Sequence, residues 1–126
     1  MKKNTKSPGY SMVAILVISV VGIIISTALV ATVITNSQNA SKMEQGFQAL
    51  GTAESAAENA ILKLLRDPFY TGESMTVGDC TADVTVAGET DKTITSTSTC
   101  NNFVRTVEIT ATYNQGMLSI NSWKEL

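Results

Sequence analysis

Hydrophobic positions follow three different spacings along this chain. From Met12 to Ile34 they form a run broken only by small residues, and no charged side chain lies between Lys6 and Lys42. A helix over 12–34 extends about 35 Å at 1.5 Å per residue, enough to cross the hydrocarbon core of a bilayer. Further on, Met43, Phe47, Leu50, Ala53, Ala57, Ile61 and Leu64 recur every three or four residues. That is one apolar stripe on a 3.6-residue period. Lys42, Glu44, Glu54, Glu58, Lys63 and Arg66 lie mostly off it and read as a solvated face. No proline occurs between Pro8 and Pro68, so one helix is expected from about Ser11 to Arg66. It ends at Asp67-Pro68, because the residue before proline avoids the α region. Asn36-Ser37-Gln38-Asn39 marks emergence from the apolar span, with local fraying expected there.

Beyond residue 69 the period changes to two. Ala82, Val84 and Val86 alternate with Thr81, Asp83 and Thr85. Phe103, Val107, Ile109, Ala111 and Tyr113 share one parity, on which Arg105 is the exception, placed near a strand end where it reaches water. Asn114-Gln115-Gly116 reads as a hairpin loop, with the glycine at positive φ. Met117 to Trp123 returns as a last strand, Lys92 to Thr99 is a weaker Thr/Ser-rich one, and Ser74 to Val77 a short one. A meander of three to five antiparallel strands with one apolar face is expected to pack on the helix stripe, an α+β fold.

Charge orients this arrangement. Lys2, Lys3 and Lys6 precede the apolar run, and the six remaining Lys and Arg are outnumbered by eleven Asp and Glu, all beyond it. Basic residues before the span and an acidic region after it fit the positive-inside bias, which places the region after the span outside the cytoplasm. The acidic balance argues against broad nucleic-acid binding by the region after the span, and the sequence shows no local basic patch there. The two cysteines, Cys80 and Cys100, lie in that exported region, where two cysteines pair more often than they stay free. Their spacing is unlike that of zinc or redox motifs. The sequence has no histidine, no Gly-rich phosphate loop and no calcium loop, so no catalytic, cofactor or metal site is expected and the chain does not read as an enzyme. Asp79, Asp83, Glu89 and Asp91 cluster around loops and read as solvated surface before they read as a cation site. Asn39-Ala-Ser41 matches a glycosylation sequon, a pattern frequent by chance. Trp123 reads as a core or sheet-edge aromatic.

The apolar run admits three readings: a secretory signal, an uncleaved signal anchor, or a helix retained after cleavage in front of it. It is long for a secretory signal, and Leu29-Val30-Ala31 makes a poor cleavage site. The segment Ser7-Pro8-Gly9-Tyr10-Ser11-Met12-Val13-Ala14 resembles the processing site of type IV prepilins and type II secretion pseudopilins. In that family a short basic leader ends in glycine, an aromatic residue begins the mature chain and the apolar helix follows at once. The resemblance implies cleavage after Gly9 by a prepilin peptidase and methylation of the new terminus at Tyr10. Thr52 to Arg66, with its Ala-Glu dipeptide, small residues and Leu-rich turn, is also similar to the helix of minor pilins and tip pseudopilins. Two positions depart from the family pattern. The fifth mature position, usually Glu, is Ala14, and the position of a proline common in major pilins is Ala31. Ala14 resembles a subset of minor pilins and the tip pseudopilin.

The resemblance implies a leader over 1–9, a transmembrane and assembly half of the helix over 10–35, and an extracytoplasmic pilin-like domain over 36–126, with helix to about 66 and sheet over 69–126. It implies a structural subunit, minor or tip-like, of a type IV pilus or pseudopilus. Such a subunit is held single-pass in the inner membrane and then assembled with other pilin or pseudopilin subunits, without a small-molecule substrate. Which machine it serves, whether adhesion, motility, DNA uptake or secretion, stays open. The alternative is a signal-anchored exported binding domain that does not polymerise.

Overall fold

A computed structural model describes residues 8–126. Of the leader, Met1–Ser7, which carries Lys2, Lys3 and Lys6, lies outside the described residues. The fold is α+β. Helix α1 spans Pro8–Arg66 and is followed by strands β1 (Gly72–Val77), β2 (Cys80–Ala87), β3 (Asp91–Cys100), β4 (Phe103–Asn114) and β5 (Met117–Glu125). The helix begins earlier than the polarity of residues 1–9 suggests, because proline is favoured in a first helical turn, where its missing N–H costs nothing. It also runs through Asn36–Asn39 without the expected fraying. The stop is as expected: the Asp67 amide donates to the Lys63 carbonyl at 2.8 Å and helix geometry ends before Pro68.

The five strands form one antiparallel meander in the order β1-β2-β3-β4-β5. Turn chemistry fixes the hairpins. At Gln115-Gly116, between the paired Asn114 and Met117, φ is 50° and 82°, the two positive values that a two-residue type I′ turn requires. Between β2 and β3, Gly88 has φ 96°, and a Cβ there would lie 1.9 Å from the Asp91 carbonyl oxygen, so no other residue fits.

The chain divides into two compact units at Ala40/Ser41. In the unit 41–126, the α1 residues pack on the sheet. The core joins Ala53, Ala56, Ala57, Ala60 and Leu64 of α1 to Ala82 and Val84 of β2, Ile94 of β3, and Val107 and Ile109 of β4. The buried face of the helix is therefore mainly alanine. This corrects the expected stripe: Met43 and Phe47 are exposed, and Gly46 and Ala49 are buried in their place. Around Ala53 the sheet lies close against the α1 backbone. Ser96, fully buried on β3, donates its hydroxyl directly to the backbone carbonyl of Ala53 at 2.7 Å.

The strand expected to be weak is the central one. Along β3, Lys92, Ile94, Ser96, Ser98 and Cys100 are all buried, so its serines serve as small core residues. On β2 and β4 the alternation follows the sequence reading, and Arg105 is exposed at one end of β4. On β5 a bulge opposite Thr110/Ala111 shifts the parity, pairing Ile120 with Ala111 but Trp123 with Ile109. Leu118, Ile120, Trp123 and Glu125 thus share the helix-side face. Ile120 and Trp123 remain 49% and 40% exposed, since the fully buried core residues come from α1, β2, β3 and β4, and from β5 only Leu118 packs against them. Trp123 is a sheet-edge residue.

Candidate functional site

The unit before Ser41 carries the one helical segment among the described residues that is long and apolar enough to cross a membrane, with its apolar window wholly unburied. Its composition makes it self-sufficient in an apolar medium. Every hydroxyl between 12 and 35 bonds to its own backbone four residues earlier: Ser19 to Ile15, Ser26 to Gly22, Thr27 to Ile23, Thr32 to Ala28 and Thr35 to Ala31, at 2.5–3.0 Å. No polar group of these side chains needs water or a partner, which is the requirement for burial in lipid or among like helices. Gly9 and Tyr10 lie in the first turns of α1, Tyr10 76% exposed. A Cβ added to Gly9 would meet nothing within 4 Å among the described residues, so their packing does not require glycine there.

Cys80 and Cys100 form a disulfide with Cα atoms 4.3 Å apart. They are paired residues of the β2–β3 ladder, at the end away from the 88–90 turn. The bond therefore lies inside one hairpin and closes the open end of the β2–β3 ladder. The ladder extends to residue 80 because Cys80 continues the inward parity of Ala82 and Val84. The cysteines are buried against Ala49 of α1 with Phe103 alongside.

At the opposite end, a polar clasp holds α1 to β1. Glu73 accepts both oxygens' bonds from the Lys63 ammonium, at 2.5 and 2.6 Å, and one from the Asn59 amide at 3.1 Å. The Lys63 ammonium holds the Glu73 carboxyl below its ordinary pKa. Beside it the Tyr70 hydroxyl is enclosed with no hydrogen-bond partner among the described residues. Burial first, and the Glu73 carboxylate second, push its pKa up to about 12. Lys92, also buried, donates to the carbonyls of Pro68 at 3.0 Å and Gly88 at 2.8 Å, clipping the end of the helix to the β2–β3 turn. Because the Glu73 pKa is lowered on folding, its stabilising effect is complete above the unfolded value of about 4.3 and is lost as pH falls through the lower folded value. Thermal unfolding followed from pH 6 down to pH 3 should show Tm falling, and Glu73→Gln should flatten that dependence. A profile unchanged by Glu73→Gln would remove the clasp from the acid response.

The carboxylates at 79, 83, 89 and 91 stay on exposed positions, with Asp91 accepting from the Thr112 hydroxyl at 2.9 Å. Among the described residues no group of three or more His, Cys, Asp or Glu is placed to hold a metal ion. The structure adds two features that the sequence pattern did not indicate. One is the clasp, whose partners are far apart in sequence. The other is an open groove of about 380 Å³ between α1 and the sheet, lined by Met43, Phe47, Leu50 and Phe103. No protein-family model, curated protein or solved structure matches the chain.

Proposed function

We propose that this chain is a minor or tip-like structural subunit of a type IV pilus or pseudopilus. The observation that carries this reading is the uncharged apolar helix directly behind Gly9-Tyr10, with its apolar window unburied and the hydroxyls of Ser19, Ser26, Thr27, Thr32 and Thr35 internally bonded. Such a surface has two stable environments, lipid and other helices of the same kind. A subunit stored in the inner membrane and later packed laterally into a filament core uses both. The α+β unit carried on the same helix supports the reading, since a small sheet seated on an alanine face is what a compact outward-facing domain needs. Gly9 supports it from another direction. Packing of the described residues places no demand on Gly9, whereas a prepilin peptidase cutting after it gains from a backbone without a side chain.

In this reading the partners are the peptidase, the inner membrane and other pilin or pseudopilin subunits. The domain lies outside the cytoplasm, and the chain performs no catalysis. Ala14 leaves the helix without the membrane carboxylate of major subunits, which favours a minor or tip position. Mass spectrometry of the protein isolated from its native membrane should find a mature chain beginning at N-methylated Tyr10. Gly9→Ala should accumulate the unprocessed form. A chain retaining Met1, or normal maturation of the Gly9→Ala variant, would return the protein to the signal-anchored alternative.

A further inference from the structure

A hollow of about 470 Å³ opens between the turn that follows α1 and the β2–β3 turn. It is built around a buried cation. Lys92 is only 8% exposed, and its ammonium donates to the carbonyls of Pro68 and Gly88, both of which line the hollow. An ammonium has three donors, so one N–H is left over. No carboxylate neutralises this charge: the ion pairs among the described residues are Lys63–Glu73, Arg105–Glu125 and Lys124–Glu108. The nearby acids are committed elsewhere, Asp67 to the Phe69 amide at 2.9 Å and Asp91 to the Thr112 hydroxyl. Glu89 lines the hollow from an exposed turn position without pairing with Lys92. The remaining wall is apolar, with Val86, Tyr113 and Phe69, the last 87% exposed.

We propose that this hollow binds a small molecule with one carboxylate on an apolar, ring-sized body, its carboxylate on the Lys92 ammonium and its body against Phe69 and Tyr113. Burying an ammonium carries a desolvation cost that two neutral carbonyls offset only in part. An anion neutralises the charge and accepts the remaining N–H in a charge-assisted bond, whereas a neutral acceptor supplies the hydrogen bond alone. The hollow falls within the range of about 300–1,000 Å³ usual for small-molecule sites. Phe69 is already placed by the bond from its amide to Asp67, so little ordering is required on binding. Glu89 repels further negative charge, which selects a single carboxylate over dicarboxylates and phosphates. The site belongs to the unit 41–126 alone, so it serves a filament subunit and a signal-anchored domain equally.

Amide NMR of the full chain in a nonionic detergent, titrated with phenylacetate, tests this. Saturable shifts should appear at the amides of 69–71 and 88–92, with a Kd on the order of 1 mM for a probe of about ten non-hydrogen atoms. Phenylacetamide, which has the same shape without the charge, should bind about tenfold more weakly. Lys92→Met, which keeps the apolar stem, should weaken phenylacetate by about tenfold or more. Because Lys92 also clips two turns together, two variants at exposed positions carry the test independently of folding. Glu89→Gln should tighten phenylacetate about threefold, and Phe69→Ala should weaken it about fivefold. The proposal is overturned if no saturable shift arises around the hollow or if shifts fall only on 12–34, as partition into the micelle would give. It is equally overturned if phenylacetamide binds as well as the acid, if Glu89→Gln weakens binding, or if Phe69→Ala leaves it unchanged.

Discussion

Replacing Ala53 by leucine should destabilise the folded unit by about 3 kcal/mol, combining overpacking with loss of a buried hydrogen bond. Ala53 has no exposed surface, and its carbonyl accepts the Ser96 hydroxyl at 2.7 Å. A leucine adds three carbons where helix backbone and sheet already touch. Either β3 moves away and the Ser96 bond breaks, or the leucine takes a strained rotamer. At roughly 4–8 °C per kcal/mol for a unit of this size, Tm should drop by about 15 °C. Glu54→Leu, one position along on the exposed face, should leave Tm within a few degrees. Circular dichroism melts of the full chain in detergent make the comparison. Equal Tm values for the two variants would mean that the seam between helix and sheet is looser than the Ala53–Ser96 contact indicates.

Removing the Cys80–Cys100 bond should cost a similar amount, about 3 kcal/mol, because it closes a loop of about 20 residues in the unfolded chain. The loss should be uneven in space. The bond sits at the Ala49–Phe103 end of the core, whereas Leu64, Ile94 and Ile109 belong to a separate cluster. Cys80→Ser with Cys100→Ser should therefore lower Tm. By hydrogen exchange, the variant should lose amide protection around 80–82 and 98–103 before 84–86 and 92–95. Uniform loss of protection would show that the two clusters unfold as one.

Several elements were legible because their signals are local. The helix stop at Asp67-Pro68, the alternation along β2 and β4, and the positive φ at Gly116 each follow from the backbone preferences of a few adjacent residues. The cysteine pair was legible from the expectation that the region after the apolar run lies outside the cytoplasm. The helix stripe was legible as a period but misplaced at its start. Met43 and Phe47 continue the apolar spacing, yet the sheet admits only Gly46 and Ala49 beside it. Hydrophobicity does not encode how closely two layers approach. Serine is the clearest case: Ser96 and Ser98 weakened the expectation for β3, although small residues are what a central strand under an alanine face requires.

By itself, then, the sequence determined the apolar segment behind Gly9 and Tyr10, the helix ending at Arg66, the antiparallel meander and the cysteine pair, since residue spacing and turn chemistry act within a few positions. Tertiary structure alone decided that alanines face the sheet, that Glu73 clasps Lys63, that the disulfide closes the β2–β3 ladder, and that Met43, Phe47 and Phe69 are left uncovered. Each of these depends on distances between segments remote in sequence, and those distances are set by how the layers pack.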